Sequence, residues 1–126
     1  MSVTEPFSPA IRARSAVLAM LQAEQIEATR DVGAFFPQPF GVLVGLPALT
    51  GRGLFSRTYE IPVLVVSGDP LNSDLATDRL YTLADECARA LATDTYRPSS
   101  WRSSVNAEPL PAIELTVTAT VTELED

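Results

Sequence analysis

The fold is decided by the stretch from Ser56 to Ala92, which reads SRTYEIPVLVVSGDPLNSDLATDRLYTLADECARALA. Its first part, Arg57 to Val66, alternates between two faces, as a β-strand does. One face carries Tyr59, Ile61, Val63 and Val65, and the other carries Thr58, Glu60, Leu64 and Val66. Because β-branched side chains suit a pleated surface, this pattern predicts a long strand.

A turn and an amphipathic helix are predicted after this strand. Ser67-Gly68-Asp69-Pro70 favours a turn, and a helix follows that begins at Pro70 or Asp74 and ends near Ala92. Its apolar residues recur at helical spacing and form one stripe: Ala76, Leu80, Leu83, Ala84, Cys87 and Leu91. We therefore expect this helix to lie across the sheet and bury the stripe.

A second helix is predicted from Pro9 to about Gln25, with Ser8 as its N-cap. We expect Ile11, Val17, Leu18, Met20 and Leu21 on its buried side and Arg12, Arg14, Gln22 and Glu24 in water. A short strand is predicted over residues 26–32, and the apolar run from Gly41 to Leu46 predicts a buried strand.

Three phenylalanines follow the first of these strands, in a segment that two prolines exclude from a helix or a central strand. They are Phe35, Phe36 and Phe40. In one interpretation they cap the end of the core, as large apolar side chains usually do. In the other, some of them contact a neighbouring subunit.

The segment from Pro47 to Phe55 is predicted to be a long hairpin loop between two antiparallel strands. It carries Leu49, Leu54 and Phe55, which a loop cannot bury by itself, and Arg52, which can pair with a carboxylate across an interface. These four residues and the three phenylalanines are the candidate subunit-interface residues.

The remaining strands are predicted over Trp101 to Ala107 and over Ala112 to Val121, where alternation is clearest. The resulting order is α-β-β-β-α-β-β, which predicts an α+β fold. Its single mixed, mainly antiparallel sheet of about 4–5 strands packs against two helices. Residues 1–126 are expected to form a single domain, with a leader at 1–8, the long hairpin loop at 47–55 and an acidic tail at 123–126.

Composition excludes several classes of protein. The chain has 126 residues, 46% of them hydrophobic, which suffices for one ordinary core. Its net charge of −7 disfavours binding to nucleic acid. No apolar run is long enough for a membrane span, and residues 1–9 lack the features of a signal peptide. Cys87, the single cysteine, is expected to pack as a small hydrophobic residue.

The residue types also argue against catalysis. The chain has no histidine, the usual base and zinc ligand, and no lysine, which a phosphate-binding P-loop needs. Asp69, Asp74 and Asp78 cluster at a helix start, where carboxylates favour the helix dipole, and their spacing does not match a calcium loop. We expect no catalytic, cofactor or metal site. An enzyme would require an activity that depends on Asp74, Asp78 or Glu60.

The layout of the chain resembles the tail terminator proteins of long-tailed (siphovirus-type) bacteriophages, the group around the lambda tail terminator, and the related head–tail joining proteins. The likeness covers nearly the whole chain. It consists of the helix Pro9 to Gln25, the strand pair Gly41–Gly45 and Tyr59–Val66, the helix that opens with Asn72-Ser73-Asp74, and the strand Ala112 to Val121. The segment from Phe35 to Phe40 departs from this pattern.

The resemblance implies a structural virion protein without catalysis. Such proteins form a homo-hexameric ring at the head-proximal end of the tail tube, where they stop tube growth and join the tail to the head connector. The implied partners are other copies of the chain, the tail tube protein and the connector or stopper protein. Genomic DNA would pass through the lumen without specific binding. Assembly would take place in the host cytoplasm, without a membrane.

Two alternatives remain open from the sequence. One is a head completion or stopper (connector) protein, whose loss would leave tails of normal length that fail to join heads. The other is a small-molecule-binding adaptor domain with a pocket under the phenylalanine segment, which a metabolite would stabilise against heat.

Overall fold

The structure is a computed structural model, and it describes residues 8–69, 73–102 and 109–122. The elements in these ranges are α1 Pro9–Ala23, a 3₁₀ turn Val32–Ala34, β1 Phe40–Val44, β2 Ala48–Arg52, β3 Ser56–Ser67, α2 Asp74–Leu91, β4 Tyr96–Trp101 and β5 Leu110–Thr122. The α+β class and the order α-β-β-β-α-β-β are confirmed. Among the described residues, two helices accompany one sheet of five strands.

Strand β3 is the axis of the sheet. It pairs with β5 along one side, and on its other side it pairs first with β2 and then with β1. Strand β4 pairs with the outer side of β5 and so lies at the edge. All these pairs are antiparallel, and a parallel bridge from Thr29 to Leu43 makes the sheet mixed.

Pro62 lies inside β3 without breaking it. Its carbonyl accepts a hydrogen bond from the Gly45 N–H at 2.7 Å. The N–H and C=O of one residue in an antiparallel pair point to the same side of the strand. The side of Pro62 that lacks an N–H therefore faces the gap between β1 and β2. Glycine is suited to position 45, next to Pro62, because a Cβ there would lie 2.8 Å from Pro62 Cγ.

The core lies between the two helices and one face of the sheet. The face of β3 that carries Tyr59, Ile61, Val63 and Val65 is buried. Of the predicted α2 stripe, Leu80, Ala84, Cys87 and Leu91 are buried, and Ala76 and Leu83 are half-buried. The prediction for α1 is wrong in part, since its buried residues are Ala13, Val17 and Leu21 while Ile11 and Met20 are exposed. The buried residues of α1 recur at every fourth position, and Ile11 and Met20 lie outside this stripe.

Helix ends agree closely with the sequence signals. The Ser8 hydroxyl accepts a hydrogen bond from the Ile11 N–H at 3.3 Å, and the Ser73 hydroxyl accepts one from the Ala76 N–H at 3.3 Å. Each serine therefore satisfies one of the free donors at a helix start. Helix α1 ends at Ala23, and Gln25 just beyond it has a positive φ of 64°.

The prediction of a strand over residues 26–32 is wrong. The backbone hydrogen bonds of this segment to β1 are made by Thr29, whose N–H donates to Val42 O at 3.0 Å and whose carbonyl accepts from the Val44 N–H at 2.8 Å. Asp31 then caps the 3₁₀ turn by accepting a hydrogen bond from the Gly33 N–H. The turn chemistry of Asp31 and Gly33 thus ends the extended segment early.

The prediction of a long loop over residues 47–55 is also wrong, because β2 occupies most of this segment and pairs with β3. Only residues 53–55 connect the two strands. A register shift between Leu49 and Gly51 interrupts the pairing, and most of β2 is exposed. An irregular edge strand of this kind has no hydrophobic period that the sequence could reveal.

The fourth strand is also placed differently. β4 ends at Trp101, where the predicted strand was expected to begin, and most of that prediction falls on residues 103–108, outside the described residues. By sequence, Pro98 argues against a strand, yet it lies within β4. An edge strand tolerates proline where the side that would carry the N–H faces water. Residues 1–7 of the predicted leader and the acidic tail at 123–126 also lie outside the described residues.

Candidate subunit interface

The β2–β3 hairpin ends in a tip that holds apolar side chains in solvent. We use "hairpin tip" for Arg52 to Ser56. The Gly53 N–H donates to Ser56 O at 2.9 Å and closes the turn. Leu54 is 86% exposed and Phe55 is 55% exposed. Two large apolar side chains at the end of the hairpin make the tip a candidate contact surface.

The hairpin tip is supported from one side by β5. Ser56 is paired with Thr122, and the hydroxyls of Thr58 and Thr120 lie 3.0 Å apart across the two strands. The tip is therefore carried on a three-stranded ribbon. Leu49 lies opposite Tyr59 on this ribbon and is also exposed.

The three phenylalanines have three different environments. Phe40 opens β1 and is half-buried against the core. Phe35 is half-buried over the second face of the sheet, where its ring meets that of Trp101 edge-on, with centroids 5.0 Å apart. Phe36 is 75% exposed. The first interpretation thus holds for Phe35 and Phe40, which pack within the chain, while contact of the exposed Phe36 with a neighbouring subunit stays a prediction.

Gly41 makes the Phe35 contact possible. A Cβ at Gly41 would lie 2.6 Å from Phe35 Cε1, closer than real Cβ atoms approach, and 3.0 Å from the Pro37 Cα. Beneath this region the second face of the sheet is apolar, and Leu43, Val66 and Ala112 are buried there. The segment therefore covers one end of the face opposite the helices.

A groove of about 350 Å³ lies beside this segment. We call it the Phe groove and define it by Glu27, Thr29, Phe35, Phe36 and Phe40, which contribute to its lining. Its aromatic side chains come from the phenylalanine segment, and its carboxylate comes from Glu27. Glu27 was not predicted from the sequence as an interface residue, because nothing in residues 26–32 indicates a groove.

The hairpin tip and the Phe groove lie at opposite ends of β3. The tip adjoins Ser56, whereas Phe40 of the groove is paired with Ser67 at the other end. At about 3.3 Å per residue, the strand between them spans roughly 36 Å. The structure therefore places the two predicted groups of interface residues far apart within one chain.

The acidic residues considered for chemistry have local roles. The Asp69 carboxylate accepts a hydrogen bond from the Ser73 N–H at 3.3 Å, and Asp74 lies in the first turn of α2. Glu60 is exposed. In the part of the chain that the structure describes, no three acidic or cysteine side chains gather into a group that could hold a metal ion.

Cys87 is fully buried, and burial, followed by the charge of Glu86, raises the pKa of its thiol to about 12. A thiol nucleophile must be deprotonated, and this one stays protonated at neutral pH. Cys87 is therefore part of the core, as predicted.

Arg14 has a structural role that the sequence did not reveal. It was predicted to face water, but it is half-buried and its Nη2 donates to Arg30 O at 2.7 Å and to Val44 O at 2.9 Å. Burial and the nearby Arg30 charge lower the pKa of Arg14. The side chain ties α1 to β1, and no local pattern indicates such a long-range contact.

Comparison of the chain with models of known protein families finds no match, and a search of curated proteins finds none either. Neither described helix is long and apolar enough to cross a membrane. Among the described residues, the most exposed large apolar side chain is Leu54 of the hairpin tip.

Proposed function

We propose that the protein is a tail terminator of a long-tailed bacteriophage, a structural virion protein that forms a ring at the head-proximal end of the tail tube. The observation that carries this proposal is the hairpin tip, where Leu54 and Phe55 stand in solvent on a three-stranded ribbon. Large apolar side chains exposed side by side favour a site of protein contact. The confirmed α+β layout agrees with the resemblance to this family.

A ring needs two different surfaces on each subunit, because head-to-tail contacts close by rotation. The hairpin tip supplies one of them. In this role the completed ring ends tube growth, contacts the tail tube protein on one side and the head connector on the other, and is homo-hexameric. With a net charge of −7, the subunit repels phosphate, so genomic DNA passes through the lumen without being held.

The role is assembly rather than catalysis. Cys87 is buried with a raised pKa, and the chain contains no histidine. The acids at the start of α2 serve the turn and the helix end. The protein then acts in the virion tail and, during assembly, in the host cytoplasm.

The test replaces both exposed side chains of the tip, in the variant Leu54→Ser with Phe55→Ser. Because neither side chain is buried, we expect an unchanged circular dichroism spectrum and melting temperature. We expect the purified variant to fail to cap tails, so that electron microscopy shows overlong tails. The matched control is Val32→Ser with Leu75→Ser, which removes two side chains that are each 61% exposed elsewhere.

The control variant should give tails of normal length. Tails of normal length with the tip variant would remove the tip from the mechanism. Particles that lack the protein altogether separate the two assembly roles: overlong tails support a terminator, whereas normal tails that fail to join heads would overturn it in favour of a stopper.

A further inference from the structure

We infer that the hairpin tip of one copy docks in the Phe groove of the next copy, where Arg52 pairs with Glu27. The inference rests on the proposed ring, since the ring supplies the second copy, and it names both halves of the contact. The tip contributes Leu54 and Phe55, and the groove contributes Phe36 as its exposed wall.

A contact between the two surfaces requires a second copy. They lie at opposite ends of β3, roughly 36 Å apart at strand spacing, so a tip cannot reach the groove of its own chain. One surface projects and the other is concave. A contact between such different surfaces is heterologous, and its repetition gives a ring when the rotation closes.

The two surfaces are also complementary in chemistry. The tip carries the cation of Arg52 on a chain whose net charge is −7. The groove offers the exposed carboxylate of Glu27 beside aromatic rings. Neither Arg52 nor Glu27 makes an ion pair with another described residue. Docking would bury Leu54 and Phe55 against Phe36 and give Arg52 a carboxylate partner.

Cysteine cross-linking tests the contact in purified full-length protein. In a Cys87→Ala background, Leu54→Cys and Phe36→Cys are combined in one chain and oxidised with copper phenanthroline. Because each chain then carries one tip thiol and one groove thiol, we expect a reducible ladder of trimers and larger species. Each single-cysteine variant can form dimers at most.

The matched control combines Leu54→Cys with Thr118→Cys. Thr118 is an exposed residue of β5 outside the Phe groove, so this pair should give no ladder. Circular dichroism establishes that each variant is folded before oxidation. A folded Leu54→Cys, Phe36→Cys protein that gives no ladder overturns the inferred contact.

Charge reversal is the second arm, measured by sedimentation velocity. Arg52→Glu and Glu27→Arg should each weaken self-association about tenfold, because each places like charges together at the contact. The double variant should recover association. Failure of the double variant to recover would overturn the Arg52–Glu27 pairing.

The outcomes also separate this contact from the proposed function. A ladder together with tails of normal length in particles that lack the protein would support the docking and overturn the terminator role. Wild-type protein that caps tails, with no ladder from the cysteine pair, would support the terminator role and overturn the docking.

Discussion

Cys87 has no exposed surface and lies on the buried stripe of α2. Burial raises the pKa of its thiol from an ordinary value of 9.0 to about 12. In the unfolded chain the same thiol loses its proton near pH 9, whereas in the folded protein it keeps the proton. The folded state therefore binds more protons than the unfolded state above pH 9, and stability must fall as the pH rises through this range.

We expect this one group to lower the free energy of unfolding by about 1.4 kcal/mol between pH 8 and pH 10. The full contribution is present below pH 9 and is lost towards pH 12. Cys87→Ala removes the titration, so urea melts of the wild type and the variant should differ less at pH 10 than at pH 8. A constant difference across this range would show that the thiol is not buried as described.

Among the elements, the segment that covers the second face of the sheet depends on Gly41. A Cβ at this position would meet the ring of Phe35 at 2.6 Å. Gly41→Ala should therefore push Phe35 away from Trp101, at a cost of about 1–3 kcal/mol typical of overpacking. Trp101 is the single tryptophan of the chain, so its fluorescence reports the loss of the contact directly.

Gly51→Ala is the matched control, because a Cβ there would lie 3.5 Å from Thr58 Cβ, an ordinary contact distance. It should leave both the fluorescence and the stability close to those of the wild type. If Gly41→Ala behaves in the same way, Phe35 does not rest on the sheet at this position.

The elements that the sequence predicts well are those that bury one face. β3, β5 and α2 carry a clear period because each contributes a stripe to the core. The edge strands β2 and β4 bury little, so their sequences carry no such signal. For the candidate interface, the sequence predicts the apolar residues of the hairpin, and the structure shows that they are exposed. It cannot distinguish Phe36 from Phe35, since that difference depends on contacts with Gly41 and with Trp101, distant in the chain.

At the scale of the molecule, the buried residues of both helices and of β1, β3 and β5 form one connected core. A charge placed in it should unfold every element together. Val63→Asp and Val117→Asp are each expected to prevent folding, because an unpaired charge would be buried. Circular dichroism and tryptophan fluorescence should show the loss of helix and of tertiary structure at once.

Thr116→Asp is the control for these variants, since Thr116 is an exposed neighbour of Val117 on β5 and lies opposite Pro62. It should change stability by no more than about 0.5 kcal/mol, as exposed substitutions usually do. A soluble Val63→Asp protein with a native-like spectrum would contradict the facing of β3.

The edge position of Pro98 limits how this protein can misassemble. Fibres that grow by adding strands need two open sheet edges on every molecule, so that each addition leaves a new edge exposed. No described strand pairs with the outer side of β2, but the opposite edge is β4, where Pro98 lacks the N–H that a further strand would need. Two molecules can therefore pair β2 with β2, and after this pairing β2 is no longer an open edge in either molecule. We therefore expect strand addition to favour pairs of molecules over fibrils.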